Sequence, residues 1–298
     1  MLCDTFHLRG KKLKLCIDRT NWKFGKLHIN YLLISIPYGS HSIPLIWTLL
    51  TDKKCGNSDF KDRKNIFEKL LTIIPTSQIE CLLADREFLS DAFIKYLNNK
   101  GIIFVIRAKD NLIVNNSKGQ TSNLKKIFKN LSINSAKTLK GKRFLLNNLV
   151  YITAKKLKTG ELLILVSNMP NNKIYHCDIY LIRWKIELLF SAMKTRGFNL
   201  ESTHLKDAER LSKLFFVVSI AFVLAYKTGE LLVKIAPEKR KPKKHGYCQN
   251  SLPRIGMDEI FKAILSICKC SKKIIALIKL AFNSFLPPSE YDKCIEVL

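Results

Sequence analysis

Apolar and polar residues alternate near the start of the chain and then give way to longer apolar runs. From Leu13 to Ile17 the alternation has a period of two, which predicts a strand that brings Asp18 to its non-core face or to its end. Two further apolar runs, residues 29–38 and 41–50, are separated by a Gly-Ser pair. These runs predict an antiparallel meander.

A helix and a buried strand are predicted next. The helix is expected to begin near Ser58 or Asp59, because either side chain can act as its N-cap. The short apolar run 79–84 ends at Asp85. This is the pattern of a parallel strand that is covered on both faces and open to solvent at its carboxyl end. Another helix and the strand 102–106 follow.

The composition changes over residues 110–160, which are rich in Lys, Asn and Ser and contain one acid, Asp110. Fragments with β-type patterns predict a basic, β-rich insertion. The chain then returns to the core by a strand and continues as helices. The predicted domains are the first part of the core (1–109), the insertion (110–160), the second part of the core with a late acidic helix (161–206) and a helical C-terminal region (207–298).

The order of these elements predicts the fold class. A ribonuclease H-like sheet has the same order of elements. In both, three strands are followed by a helix, a strand that ends in an acid, another helix and strand, and a late helix that carries an acid. We therefore expect an α/β protein with a mixed sheet flanked by helices. Such a sheet would carry acids on two central strands and one helix, which makes Asp18, Asp85 and Glu187 the natural triad.

The late helix is the most informative segment. Its apolar residues cover one face, while four polar residues fall within about 60° of one another at about 100° per residue. These four are Tyr180, Arg183, Glu187 and Lys194. The helix would pack on a core and present one carboxylate beside two cations and a phenol. An ordinary amphipathic helix with i,i+3 and i,i+4 ion pairs is the alternative.

The charge of the chain points to a polyanionic partner. It contains 51 Lys and Arg against 24 Asp and Glu over 298 residues, a formal net charge of +27. An excess of this size is typical of proteins that bind nucleic acid. The apolar content of 47% is enough for a large buried core and excludes a basic disordered tail.

Cysteine usage and the length of the apolar runs exclude other classes. The nine cysteines, an odd number without a CxxC pair, argue against a disulfide framework or a zinc finger and fit reduced thiols in a cytosol. No signal peptide is recognised at the start. The longest apolar run, residues 214–226, is shorter than the roughly 20 residues that span a bilayer. It predicts a buried core helix and no membrane partner.

Several other acids compete for the catalytic roles. A lone Asp at the end of a strand is often a turn or cap residue, so each member of the triad is weak evidence by itself. Asp59 and Asp91 are assigned to caps or first turns of helices. Glu87 is at most a supporting group beside the triad. The competing acids are Asp52, Asp59, Asp62, Glu87 and Asp91.

Three motifs in order carry a family resemblance. The first acid lies in IDRTNW (Ile17–Trp22), the second in LLADREF (Leu82–Phe88), and the third in a Tyr, two residues, Arg, three residues, Glu, six residues, Lys pattern. A later pattern consists of His245-Gly246, Ser251, Arg254, Gly256 and Asp258. Over roughly residues 13–261 the chain resembles the DDE transposases of insertion-sequence family 4, which are bacterial cut-and-paste enzymes.

The resemblance implies a metal-dependent reaction on DNA. Asp18, Asp85 and Glu187 would hold two Mg²⁺ or Mn²⁺ ions, which are hard cations that prefer oxygen ligands. One ion would activate a water or a 3′-hydroxyl, and the other would stabilise the leaving 3′ oxygen. Cleavage at the transposon end would be followed by attack of the freed hydroxyl on target DNA.

The resemblance also implies the partners. Tyr180, Arg183 and Lys194 would contact phosphates of double-stranded DNA, and the insertion would help to hold the hairpin or the end. Trp184, beside Arg183, is the tryptophan most suited to stacking on a base. The implied assembly is a homodimer on paired ends, in the bacterial cytoplasm at the nucleoid.

The start of the chain departs from this family. Its members carry a helical DNA-binding region before the first acid, whereas 17 residues precede Asp18 here. We expect a 5′-truncated or restarted reading frame. A non-catalytic DNA-binding remnant or inhibitor of transposition, and a basic nuclease of the same fold, remain as alternatives. The cations that accompany Glu187 favour transposase ancestry over the nuclease and do not separate a working enzyme from a remnant.

Overall fold

The fold was analysed in a computed structural model that describes residues 10–50, 57–115, 119–172, 175–244, 248–265 and 270–282, with Phe6, Leu8, Gly246, Glu290, Lys293 and Cys294. Two of the residues named above, Asp52 and His245, lie outside the described residues. The chain divides into two units. We call Lys12–Leu189 the core unit, and Met1–Lys11 with Phe190–Leu298 the helical unit.

The described part of the core unit contains one sheet of eleven strands. They are β1 (Leu13–Phe24), β2 (Leu27–Tyr38), β3 (His41–Leu49), β4 (Ile79–Ala84), β5 (Phe104–Ala108), β6 (Ile113–Asn115), β7 (Thr121–Asn123), β8 (Ala136–Thr138), β9 (Arg143–Leu145), β10 (Asn148–Lys156) and β11 (Leu162–Ser167). The order along the sheet is β3-β2-β1-β4-β5-β11-β10-β9-β6-β7, with β8 paired to β10.

The centre of this sheet is parallel and its flanks are antiparallel. Strand β4 pairs in parallel with both β1 and β5, whereas β1, β2 and β3 form an antiparallel meander and β11 pairs antiparallel to β5. The predicted meander, the buried parallel strand and the returning strand are therefore confirmed. A mixed sheet in this order, flanked by helices, is the predicted ribonuclease H-like fold.

Helices flank the sheet and form most of the helical unit. They are α1 (Phe60–Leu71), α2 (Asp91–Asn99), α3 (Leu124–Ile127), α4 (His176–Leu181), α5 (Trp184–Lys194), α6 (Ala208–Ile235), α7 (Leu252–Leu265) and α8 (Cys270–Phe282). Helix α1 begins with a capping box, in which Asp59 and Asp62 each accept a backbone hydrogen bond from the other at 2.9 Å. Asp91 opens α2 and pairs with Lys95. Asp59 and Asp91 therefore have the cap and first-turn roles that the sequence predicted.

The prediction of one continuous helix from Tyr180 to Lys194 is wrong. Helix α4 ends at Leu181 and α5 begins at Trp184, with a turn between them. Across this turn the backbone hydrogen bonds run from residue i to i−3, as in the bond from the Arg183 amide to the Tyr180 carbonyl at 3.0 Å. The tighter winding of a 3₁₀ turn replaces α-helical geometry there, although the segment contains no Pro or Gly.

The predicted insertion is β-rich. It contains β6 to β10 and the single turn of α3, and most of its buried side chains are apolar, as at Leu124 and Phe128. Most of its lysines are exposed. The insertion therefore combines an apolar interior with a basic surface.

Helix α6 contains the longest apolar run. Its N-cap is Asp207, whose side chain accepts from the Arg210 amide at 2.8 Å. Among the described residues it is the one helix long and apolar enough to cross a bilayer, but half of its most apolar window is buried inside the protein. A half-buried helix of this kind is weak evidence for a membrane segment. One face of α6 is buried, which confirms the predicted core helix, while Phe216 and Val217 are exposed.

Two glycines allow α6 and α7 to pack with their backbones in contact. A methyl group on Gly256 would lie 1.9 Å from the Ala225 carbonyl oxygen, and one on Gly229 would lie 2.0 Å from that of Leu252. Any side chain would clash with backbone at both positions. Gly256, part of the late motif in the sequence, therefore has a packing role.

Candidate active site

The register of the central strands brings two of the predicted acids to one edge of the sheet. Strands β1 and β4 pair Ile17 with Ala84, and on each strand the next residue is an acid, Asp18 or Asp85. Asp85 follows the last residue of β4 and precedes a short 3₁₀ turn. Asp18 instead lies within β1, which continues to Phe24 because it remains paired with β2.

Arg183 connects the first acid with the third. Its Nη1 donates to Oδ2 of Asp18 at 3.0 Å, and its Nη2 donates to Oε1 of Glu187 at 2.5 Å. The Arg183 side chain is only 9% exposed. The turn between α4 and α5 thus places one buried guanidinium on two of the three predicted acids.

Tyr180 contacts the remaining acid. Its hydroxyl donates to Oδ1 of Asp85 at 3.3 Å, and the Arg183 guanidinium lies over its ring at 5.5 Å from the ring centre. Burial raises the pKa of Tyr180 well above its ordinary value, so the phenol keeps its proton and acts as a donor. Asp18, Asp85 and Glu187 are therefore joined through Arg183 and Tyr180.

The electrostatics of Asp18 reflect its burial. Desolvation raises its pKa to about 7, and it outweighs the opposing effects of the Arg183 charge and of the hydrogen bond from the Arg19 amide at 2.7 Å. The nearby acids Glu87 and Asp85 raise this pKa further. Burial also acts to lower the pKa of Arg183, but its anionic neighbours reverse that effect, so the guanidinium stays charged.

The other two predicted DNA contacts have different surroundings. Lys194 lies at the end of α5 and pairs with Glu201 at 2.6 Å within the helical unit. Trp184, at the start of α5, is 58% exposed. Trp22, by contrast, is buried and stacks on Tyr31. Among these side chains, Trp184 offers an open aromatic surface, whereas Lys194 is engaged in an ion pair.

A model of the transposase DDE domain matches residues 9–224, more than half of the chain. The chain belongs to the transposase DDE domain family. The matched region contains all three acids and all three members of the Tyr, Arg, Lys set. No match was found among curated proteins.

DDE domains typically use a divalent metal, so the donor set was tested for its fit to one. Within the described part of the chain, no group of three or more His, Cys, Asp or Glu side chains is arranged to hold a metal ion. The chemistry of the donors nevertheless fits, because three carboxylates from separate elements lie around one Arg183–Tyr180 pair, Asp18 and Glu187 on the guanidinium and Asp85 on the phenol. In this arrangement the guanidinium balances the negative charge that a hard cation would otherwise balance.

A second polar cluster in the DDE domain surrounds Glu87, to which the sequence assigned at most a supporting role. Glu87 pairs with Arg19 at 3.4 Å, and both side chains are nearly buried. Arg63 of α1 donates to the Glu87 carbonyl at 2.9 Å and lies over the ring of Phe88. One signal was present in the sequence, since an Arg directly follows both Asp18 and Asp85.

Proposed function

We propose that the protein is a DNA transposase of insertion-sequence family 4 that cuts the ends of its element and joins them to target DNA. Membership of the DDE domain family supports the reaction class. The observation that carries the proposal is the convergence of Asp18, Asp85 and Glu187 on the Arg183–Tyr180 pair at the carboxyl edge of β1 and β4. No other described cluster combines three acids with the family's signature cations.

The proposed reaction consists of two displacements at phosphorus. In the first, a water oxygen bonds to phosphorus, the P–O3′ bond breaks, and the released 3′ oxygen takes up a proton. In the second, that 3′-hydroxyl attacks a target phosphate and loses its proton, while the target P–O3′ bond breaks and the released target 3′ oxygen takes up a proton. The number of phosphodiester bonds is conserved in the second step, so no external energy source is needed.

Asp18, Asp85 and Glu187 are proposed to hold the divalent ions. When bound, Mg²⁺ or Mn²⁺ would supply the positive charge that stabilises the attacking and leaving oxygens. The protein contributes the fixed placement of the three carboxylates. Asp18 and Asp85 are held by adjoining strands, and Glu187 is held by α5.

Arg183 is proposed to exchange partners during assembly. It is buried on Asp18 and Glu187, so it must leave at least one carboxylate before it can contact a DNA phosphate. A phosphate is a good alternative, because a guanidinium binds it through the same two-pronged geometry. We infer that DNA draws Arg183 away and thereby frees the acids.

The DNA surface is proposed to include the insertion and α5. Exposed lysines of the insertion supply charge that any duplex can engage, while Trp184 provides a surface for stacking on an unpaired base. Lys194 would contact a phosphate after leaving Glu201. A homodimer that pairs two ends, acting at the nucleoid in the cytoplasm, completes the proposal.

Non-catalytic DNA binding is the second candidate. It is favoured by one observation, namely that the acids are bound by Arg183 and Tyr180 and are not grouped as a metal site in the described residues. Mg²⁺-dependent nicking of duplex DNA that carries the terminal repeats of the element separates the two. A transposase nicks at the repeat and loses that activity in Asp85→Asn, whereas a binding protein retards the DNA without cutting it.

A further inference from the structure

Two ion pairs join β1 to β4 or to the turn after β4, one at each end of the parallel strands. Near the start, Lys14 pairs with Glu80 at 2.9 Å, and the two side chains are 35% and 39% exposed. At the acid end, Arg19 pairs with Glu87 at 3.4 Å, and the corresponding exposures are 12% and 16%. The pair beside the acids is the buried one, where a charge is costly unless it is compensated.

Arg19 is held away from the acids by three separate acceptors. Besides Nε on Glu87, its Nη1 donates to Asn30 at 3.1 Å and its Nη2 donates to Asn57 at 3.5 Å. Only its backbone amide contacts Asp18. Because consecutive side chains of β1 point to opposite faces of the sheet, strand alternation and these acceptors together direct the guanidinium away from Asp18.

Glu87 is itself fixed on two sides. Arg63 donates to its carbonyl oxygen at 2.9 Å and, through Nε, to the Ser58 hydroxyl at 3.0 Å. That hydroxyl lies 3.5 Å from Oε1 of Glu87. Arg63 is buried against the rings of Phe88 and Phe93, which leaves the turn little freedom. The carboxylate that engages Arg19 thus has a defined position.

We propose that Glu87 is a positioning residue that sequesters the Arg19 guanidinium and so keeps a second cation off the carboxylates of Asp18 and Asp85. The inference rests on the proposed metal-dependent function. Stability alone does not require such a pair, because buried ion pairs are often no more stabilising than apolar residues of similar size. Placing a matched anion beside Arg19, an arginine next to the first acid in the chain, gives the charged pair a function.

Glu87→Gln releases Arg19 while preserving the shape of the side chain. The freed guanidinium is then expected to bind an acid of the site and to compete with the metal. Loss of a group that supports a metal ligand commonly lowers metal affinity about 10- to 100-fold, and we expect a loss in that range. Adding Arg19→Gln removes the competing cation, so the double variant should regain most of the affinity.

The test is titration of the 298-residue chain with Mn²⁺ in the absence of DNA, with free Mn²⁺ measured by electron paramagnetic resonance. Glu80→Gln is the matched control, because it breaks the pair at the other end of the same strands, and it should bind Mn²⁺ like the wild type. Asp18→Asn is the reference for loss of a ligand. Thermal unfolding of each variant shows that it is folded.

Three outcomes overturn the inference. Glu87→Gln could bind Mn²⁺ as tightly as the wild type, or the double variant could stay as weak as Glu87→Gln, which would make Glu87 a direct ligand. If Glu87→Gln does not fold, Arg19→Gln decides by itself. Sequestration requires that this variant bind Mn²⁺ as tightly as the wild type, so weaker binding overturns the inference. If Asp18→Asn binds Mn²⁺ normally, the proposed metal site itself fails.

Discussion

Nη1 of Arg183 lies 3.0 Å from Oδ2 of Asp18, although 165 positions separate the two residues in the chain. The same guanidinium also binds Glu187, which lies four residues later in the chain. One cation therefore balances two acids that are expected to bind divalent metal. The free protein keeps its carboxylates together in this way, and metal and guanidinium must compete for them.

This competition can be measured by removing the cation. Arg183→Gln should raise the affinity of the free protein for Mn²⁺ by about tenfold or more. The guanidinium attracts the carboxylates and repels the metal ion, and charges a few ångströms apart in a partly buried site interact by several kcal/mol before screening. DNA cleavage should fall, since the phosphate contact is lost as well. Mn²⁺ binding is followed by electron paramagnetic resonance.

Arg254→Gln provides the control for Arg183. Arg254 also pairs with an acid four residues later, Asp258, but it lies on α7 in the helical unit. Its replacement should leave Mn²⁺ binding unchanged. Unchanged or weaker binding by Arg183→Gln would show that the guanidinium does not compete with metal.

The burial of Asp18 should make stability depend on pH. Its pKa is raised from 3.8 to about 7 in the folded protein. The folded state therefore retains a proton that the unfolded state releases between pH 4 and pH 7. The stabilising effect of this retained proton is complete below pH 4. It is lost as the pH rises from 4 through 7, by up to about 1.4 kcal/mol per pH unit.

Asp18→Asn should remove this dependence. Relative to the wild type, the variant should gain stability between pH 5 and pH 8 when urea unfolding is measured without divalent metal. Burial of an ionised carboxylate is avoided in the variant, so the gain appears only at the higher pH. A stability difference that stays constant over this range would contradict the raised pKa.

The contact between α6 and α7 should tolerate no side chain at Gly256. Gly256→Ala would place a methyl group 1.9 Å from the Ala225 carbonyl oxygen, so the helices must separate. We expect a loss of about 3 kcal/mol or more in the free energy of unfolding, at or above the usual range for overpacking. Urea denaturation monitored by circular dichroism measures it.

Gly197→Ala is the comparison for this helix contact. Its added methyl group would lie 3.3 Å from the flexible end of Met257 and in ordinary contact, at 3.5 Å, with the Ala192 carbonyl oxygen. That side chain can shift, so the change in stability should be below about 1 kcal/mol. Equal losses in the two variants would argue against close backbone packing as the reason for Gly256.

The insertion should supply much of the nonspecific DNA affinity. Replacing Lys126, Lys129 and Lys140 together by Gln removes three exposed charges from the insertion. The slope of log K against log salt should then shrink by up to about 3, because each neutralised phosphate contributes about 0.9. Fluorescence anisotropy with a labelled duplex at several salt concentrations measures the slope.

A matched set on α1 controls for total charge. Lys61, Lys64 and Lys69 are also exposed, and their replacement by Gln removes the same charge. The slope should change less in this set. Equal changes would mean that the +27 charge acts as a whole and that the insertion has no special part in binding.

The order of the elements was predictable because hydrophobic periodicity and capping residues are local. The alternation around Leu15, the run ending at Asp85 and the Asp59 cap each determined one element without long-range information. Once these elements were known, Asp18 and Asp85 could be placed at one edge of the sheet, because the carboxyl ends of parallel strands meet there.

The contacts within the site were not predictable from the pattern. A helical wheel assumes α-helical winding, so it could not reveal the tight turn at Arg183 that directs the guanidinium inward. The wheel placed Tyr180 and Arg183 on one stripe with Glu187, but it could not show that they also bind Asp85 and Asp18. The pairing of Arg19 with Glu87 depends on the register of β1 and β4, which no local signal specifies.

Cleavage and joining of DNA that carries the terminal repeats of the element test the central claim most directly. The 298-residue chain is incubated with this DNA, a target plasmid and Mg²⁺, in parallel with Asp85→Asn and with Glu80→Gln, a control from the strand that precedes Asp85. We expect nicks at the repeat ends and joined products for the wild type and the control, and neither for Asp85→Asn. Retarded but uncut DNA in every sample, or equal cutting by Asp85→Asn, would contradict the assignment of these acids to catalysis.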